Sequence, residues 1–124
     1  MSEWTKDELR TIGDAEELHI QSQHADGSLS RPTTIWVVRD GDELYVRAVN
    51  GPDGKWYQGA QERHEGHIEA DGVGRDVEFE EADHAVDAKI DAEYRAKYRG
   101  YSDDIVGTVV TDKAKAATLK LVPH

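Results

Sequence analysis

The chain has 124 residues, of which 37% are hydrophobic and 33% charged, and a formal net charge of −11. That is enough for one domain, residues 1–124, with a thin core. So negative a surface repels phosphate backbones and anionic lipid, which argues against nucleic acid and membrane surfaces as partners. The absence of cysteine excludes disulfides, thiolate zinc sites, iron–sulfur clusters and cysteine nucleophiles.

No run approaches the ~20 apolar residues that cross a bilayer. The acidic start, Met1-Ser2-Glu3-Trp4, lacks the features of a signal peptide, so the expected location is the cytoplasm. Thr5-Lys6-Asp7-Glu8 then reads as a capping box, with Trp4 and Leu9 spaced as a hydrophobic staple. The helix it starts is expected to end at Gly13 in a left-handed conformation. Glu17 to Ser22 alternates, with Leu18 and Ile20 inward, and predicts a first strand. Asp26-Gly27 turns the chain, and Pro32, which has no N–H to donate, places the start of the next strand at a sheet edge or before pairing begins.

The central hairpin runs from Arg31 to Val49 around Asp40-Gly41-Asp42. Its first strand, Thr33 to Val38, is apolar or Thr on both faces and so predicts cover on both sides. In its second strand Leu44, Val46 and Ala48 form a core face, opposite Tyr45, Arg47 and Val49. Lys55 to Arg63 is expected to form a short helix carrying Trp56, Tyr57 and Ala60. His67–Ala70 and Val73–Glu80 follow as strands around Asp71-Gly72, the second with Val73, Arg75, Val77 and Phe79 on its inner face. Asp83 to Arg99 is the longest predicted helix, with Val86, Ile90, Tyr94 and Tyr98 on one stripe and Gly100 at its end. Tyr101 to Lys115 is poorly patterned apart from a helical turn near Ile105–Val109, and Thr118–Val122 alternates as the last strand. Six short strands joined by hairpins, with two or three helices, predict an α+β fold: a six-stranded antiparallel barrel with flanking helices.

Three groupings bear chemistry. Arg31, Arg47 and Lys55 bracket the hairpin, with Thr33, Thr34 and Asn50 as neutral hydrogen-bonding groups and Trp36, Tyr45, Trp56 and Tyr57 as flat apolar surface. Such a set can hold a phosphate and stack a planar ring; it also suits an ordinary hairpin with core tryptophans and a solvated arginine. His64-Glu65-Gly66-His67 has histidines three apart rather than the four of a zinc-protease helix, and its glycine interrupts a helix, so an exposed or structural pair is expected rather than a metal site. Tyr94, Arg95, Lys97 and Tyr98 either pack the long helix onto the barrel or line a pocket.

Several of these motifs resemble a bacterial family designated domain of unknown function 2255. They are Arg31-Pro32-Thr33-Thr34-Ile35-Trp36, Leu44-Tyr45-Val46-Arg47-Ala48, Asn50-Gly51, Trp56-Tyr57 and Ile90-Asp91-Ala92-Glu93-Tyr94-Arg95-Ala96-Lys97-Tyr98. More distantly, the order of elements is similar to the FMN-binding split barrels, which include pyridoxamine-phosphate-oxidase-like proteins and deazaflavin-dependent nitroreductases. That resemblance implies a split β-barrel, a homodimer, and FMN or a deazaflavin as cofactor of an oxidoreductase. It implies Thr33, Thr34 and Trp36 along the flavin-facing strand, Arg47, Asn50 and Lys55 near the cofactor phosphate, and Trp56 in the cofactor-binding set. Where the deazaflavin relatives carry Trp, two residues and Asn-Leu, this chain has Trp56-Tyr57-Gln58-Gly59-Ala60. Trp36 and Tyr45 are expected at the dimer wall, and Tyr57 or Tyr98 is a conceivable proton donor. The alternative is a non-catalytic module of the same fold that binds a small ligand or only dimerises.

Overall fold

The structure is a computed structural model that describes residues 4–24, 26–49, 51 and 54–123. Helix α1 (Lys6–Asp14) starts at the capping box: Thr5 Oγ1 accepts from the Glu8 N–H, and Glu8 Oε1 accepts from the Thr5 N–H. Trp4 and Leu9 are both buried, and the Trp4 indole N–H donates to the Leu121 carbonyl at 3.0 Å, which ties the entry of α1 to the far end of the chain. Gly13 does not take the expected left-handed conformation. It stays inside the helix, which ends one residue later, and a Cβ there would lie 3.1 Å from Arg39 Cβ. Its smallness serves close packing rather than a turn.

The strands are β1 (Leu18–Ser22), β2 (Thr33–Ile35), β3 (Val37–Asp40), β4 (Glu43–Arg47), β5 (Glu65–Ala70), β6 (Val73–Glu81) and β7 (Thr118–Pro123). They form one antiparallel sheet in the order β2-β1-β5-β6-β7-β4-β3. Among the described residues there are seven strands rather than the expected six, because the first hairpin strand divides at Trp36. Before that residue Ile35 pairs with Leu18 of β1; after it Val37 pairs with Val46 of β4. β2 and β3 are therefore consecutive in sequence and lie at opposite ends of the sheet. The sheet curls until its ends meet at Trp36, giving a nearly closed barrel-like sheet with flanking helices.

Closure frees backbone groups at the corner, and buried backbone polar groups need partners. Helix α3 (Asp87–Lys97), preceded by a 3-10 turn (His84–Val86) that Asp83 caps, supplies them. The Val37 carbonyl accepts from Lys97 Nζ at 2.5 Å and from the Tyr98 hydroxyl at 3.3 Å, and that hydroxyl also donates to the Glu16 carbonyl at 2.7 Å. The helix ends at Lys97 with Tyr98 as its C-cap, two residues short of the expected Arg99.

Two apolar clusters sandwich the sheet. The barrel interior holds Leu18, Ile20, Val37, Leu44, Val46, Ile68, Val77, Phe79, Leu119 and Leu121, sealed by α1 and by Tyr57 and Ala60 of α2 (Lys55–Arg63). On the other side Val38 and Tyr45 meet Ile90, Tyr94 and Tyr98 of the predicted stripe, with Val106 and Val109. Both faces of the hairpin are thus covered where β3 and β4 run. Tyr45 is covered by this second cluster within its own chain and is not left for a dimer wall. The poorly patterned stretch contributes two short helices, α4 (Asp103–Gly107) and α5 (Asp112–Ala116).

Candidate functional site

β2 lacks full cover: Thr33 and Ile35 are half-buried and Thr34 is exposed. A groove of about 310 Å³ opens there. Thr33, Thr34, Ile35 and Trp36 form one wall; Trp56 of α2, Val49 after β4, and Ile105, Thr108 and Val109 from the α4 region form the others. One face of the Trp36 indole is already taken, since Tyr98 stacks on it with centroids 3.8 Å apart and planes 4° apart. Trp56 is half-buried and edge-on to Tyr57.

A second hollow of about 460 Å³ adjoins the first and shares Thr33 and Trp56 with it. Its lining is polar and cationic: Arg31, Lys55, Arg63 and His24, with Ser22, Ser30 and Glu62. One side of helix α2 lines this hollow along its length, from Lys55 and Trp56 through Gly59 to Glu62 and Arg63. In a chain of net charge −11, three permanent cations around one hollow make it a local attractor for anions. Apolar aromatic walls continuing into a cationic end form a shape for a planar ring with an anionic tail, in the size range of small-molecule sites.

The structure brings Thr33, Thr34, Trp36, Lys55 and Trp56 to these two hollows. Asn50 lies outside the described residues. Arg47 is the departure. Although it touches the groove, its side chain is fully buried and its donors are spent inside the protein. Nε donates to Thr118 Oγ1 at 2.9 Å; Nη1 donates to Asp91 Oδ1 at 2.5 Å and to the Val109 carbonyl at 2.9 Å; Nη2 donates to the Asp87 carbonyl at 3.2 Å. Lys115 Nζ lies 3.3 Å from the other Asp91 oxygen. A guanidinium held in this way fastens α3, the α4–α5 link and β7 to β4. This placement argues against the phosphate role expected for it.

The tyrosines named as proton donors also turn elsewhere. Tyr57 is buried, and its hydroxyl donates to Glu81 Oε1 at 3.1 Å; burial, helped by that carboxylate, pushes the phenol up to about 12. Tyr98, pushed up by burial, is committed to the barrel corner. Burial brings the Lys97 ammonium down to about 8, partly offset by Asp14, while the amine holds the Val37 carbonyl. Of the two readings of Tyr94, Arg95, Lys97 and Tyr98, the tyrosines follow packing: both are buried against the barrel, while Arg95 is exposed. Of the histidine pair, His64 is the left-handed cap that ends α2, and His67 sits in β5 with Nδ1 2.9 Å from Asp76 Oδ1. Among the described residues no cluster of three or more His, Cys, Asp or Glu side chains could hold a metal.

The α4-region residues of the groove were missed because nothing in their spacing points to a face. Arg63 had a signal: Trp56, Gly59 and Arg63 recur at helical spacing on one side of α2.

Solved structures share the fold of this chain. A Listeria innocua protein proposed to be a pyridoxamine 5'-phosphate oxidase is 11% identical, with a TM-score of 0.63 over 94% of this chain and 90% of its own. An F420 reductase is 14% identical, with a TM-score of 0.56 over 94% and 90%. An FAD- and heme-binding protein from Mycobacterium smegmatis is 19% identical, with a TM-score of 0.54 over 95% of this chain and 65% of that one. At these identities the likeness is one of fold. No curated protein matches the chain. Residues 8–121 match the model of an uncharacterized protein family conserved in bacteria, and the chain belongs to that family, DUF2255.

Proposed function

We propose that the groove binds a flavin-type cofactor, FMN or a deazaflavin, and that the protein is an oxidoreductase. The observation that carries this reading is the continuity of an aromatic groove with a cationic hollow across Thr33 and Trp56. The fold neighbours support it, because their names include an F420 reductase and an FAD-binding protein.

In this reading Trp36 and Trp56 bound the ring, and the Thr33 and Thr34 hydroxyls supply hydrogen bonds at its edge. Lys55 and Arg31 receive the phosphate or other anionic tail. Val49, Ile35 and Ile105 exclude water from the ring's surroundings. The cofactor, when bound, supplies the hydride chemistry. The chain's part is to orient the ring and neutralise its tail. A homodimer belongs to the same reading, with a second chain covering Val49 and Ile105, which are 50% and 48% exposed at the groove rim.

A fluorescence titration with FMN, and in parallel with oxidised and reduced deazaflavin, tests this. Saturation at one ligand per chain is expected, with sedimentation reporting a dimer. Lys55→Ala should weaken binding at least about tenfold, since a hydrogen bond to a charged group contributes ~1.5–3 kcal/mol. No saturable binding of any of the three would remove the cofactor reading. A second reading, a non-catalytic module binding a small planar anion, draws on one observation: neither Tyr57 nor Tyr98 reaches the groove to serve as an acid. Binding of FMN without turnover toward any electron donor would favour it.

A further inference from the structure

Lys97 is the last residue of α3 and is half-buried. Its amine donates to the Val37 carbonyl and lies 5.1 Å from the centre of the Tyr98 ring. The same side chain lines a surface hollow of about 360 Å³ on the far side of the barrel corner from the groove. Arg39 of β3, Arg99 beyond the helix, Asp14 at the end of α1 and Glu93 of α3 line it too. An amine packed against the barrel is thus still reached from solvent.

Two properties of this hollow bear on chemistry. The first is the state of the amine, because only a free base has a lone pair to offer an electrophile. Burial lowers Lys97 to about 8, with Asp14 pulling the other way. At pH ~7.5 such an amine is free in about one molecule in four, against about one in a thousand for an ordinary lysine. The second is charge. Arg39 and Arg99 balance Asp14 and Glu93, so the Lys97 ammonium leaves one positive charge in excess, in a chain of net charge −11. That excess attracts a small anion. Arg39 Nε donates to the Gly41 carbonyl and Arg99 Nη1 to the Ala96 carbonyl, and the remaining N–H groups of each fork suit a phosphate.

Other lysines lack one property or the other. Lys55 shares a cationic hollow with Arg31 and Arg63, but it is exposed and water solvates its ammonium. Lys115 lies 3.3 Å from Asp91 and Lys120 3.7 Å from Glu80, so each faces a carboxylate.

We propose that Lys97 is an acylation site for small acyl phosphates, with Arg39 and Arg99 receiving the phosphate. The free amine attacks the acyl carbon, and the bond from that carbon to the phosphate-bearing oxygen breaks. The proton shed by the nitrogen goes to the departing phosphate, which leaves as hydrogen phosphate. The product is an uncharged amide whose one N–H remains for the Val37 carbonyl. The hollow is then neutral, whereas a modification that made the amine anionic would leave it negative. Tyr98, the next residue, stacks on Trp36, so the altered charge lies directly behind the groove wall.

Acetyl phosphate and N-hydroxysuccinimidyl acetate, an acylating ester without phosphate, test this side by side on the intact protein. Peptide mass spectrometry reads acetylation at each lysine. Acetyl phosphate at pH ~7.5 should modify Lys97 about tenfold faster than the exposed Lys55 and Lys89; the gain falls short of the gain in free base because a less basic amine is a weaker nucleophile. Inorganic phosphate should slow that reaction. R99Q, at an exposed position, should slow it about threefold, the size an exposed charge pair supports, and leave reaction with the ester unchanged. Acetylation of Lys97 no faster than that of Lys89 would overturn the proposal. So would R99Q reacting with acetyl phosphate at the parent rate, or losing rate equally with both reagents.

Discussion

Arg47→Ala separates a structural arginine from a phosphate-binding one. The substitution removes hydrogen bonds to Thr118, Asp91, Val109 and Asp87 at 2.5–3.2 Å from a side chain with no exposed surface. It also strands Asp91, whose side chain is 13% exposed, with Lys115 at 3.3 Å as its remaining cation. Breaking a buried ion pair from one side costs ~3–5 kcal/mol, and the Lys115 contact places this case near the lower end, at about 3 kcal/mol. For a chain of this length each kcal/mol moves the melting temperature by ~4 °C, so a fall of about 12 °C is expected. Thermal unfolding followed by far-UV circular dichroism measures it. Pairing the substitution with Asp91→Asn in a double-mutant cycle should give a coupling of ~0.5–3 kcal/mol. A variant that melts within ~2 °C of the parent while losing FMN affinity would refute this reasoning and restore the arginine to the ligand site.

Two further outcomes follow from the packing. Tyr57, Tyr94 and Tyr98 all have phenols pushed up by burial, Tyr57 to about 12. The native state therefore keeps these protons at a pH where the unfolded chain, with phenols near 10, has released them. Their contribution is fully present below pH ~10 and declines as pH rises toward the folded values. An alkaline titration should show phenolate absorbance from these residues appearing together with loss of circular dichroism, and ionisation of all of them near pH ~10 in a chain that stays folded would contradict their burial. Gly66→Ala would place a Cβ 2.1 Å from the Gln21 carbonyl and 2.7 Å from the Phe79 ring. Overpacking of that kind costs ~1–3 kcal/mol, so the urea midpoint should drop; an unchanged midpoint would mean that β1 and β5 do not approach so closely.

Local sequence chemistry was sufficient for most elements of this protein. Thr5 and Glu8 announce the start of α1, the alternation in Leu18–Ser22 and Thr118–Pro123 marks strands, and the Val86-Ile90-Tyr94-Tyr98 stripe marks a helix with one apolar face. These signals are legible because hydrogen-bond capping and side-chain periodicity act over a few residues. Thr33, Thr34, Trp36, Lys55 and Trp56 were legible as a group for the same reason, since one hairpin and the helix after it carry them all. Tertiary structure alone decided the rest. Periodicity says which face of a strand is apolar but not what will cover it. Arg47 therefore reads the same whether it faces a ligand or, as here, Asp91 and the Val109 carbonyl, contributed from 44 and 62 residues further along the chain. The division of one apolar strand at Trp36, and the presence of Ile105 and Thr108 opposite it, come from a sheet whose ends must meet. Closure is a property of all the strands together, and no single stretch of sequence carries it.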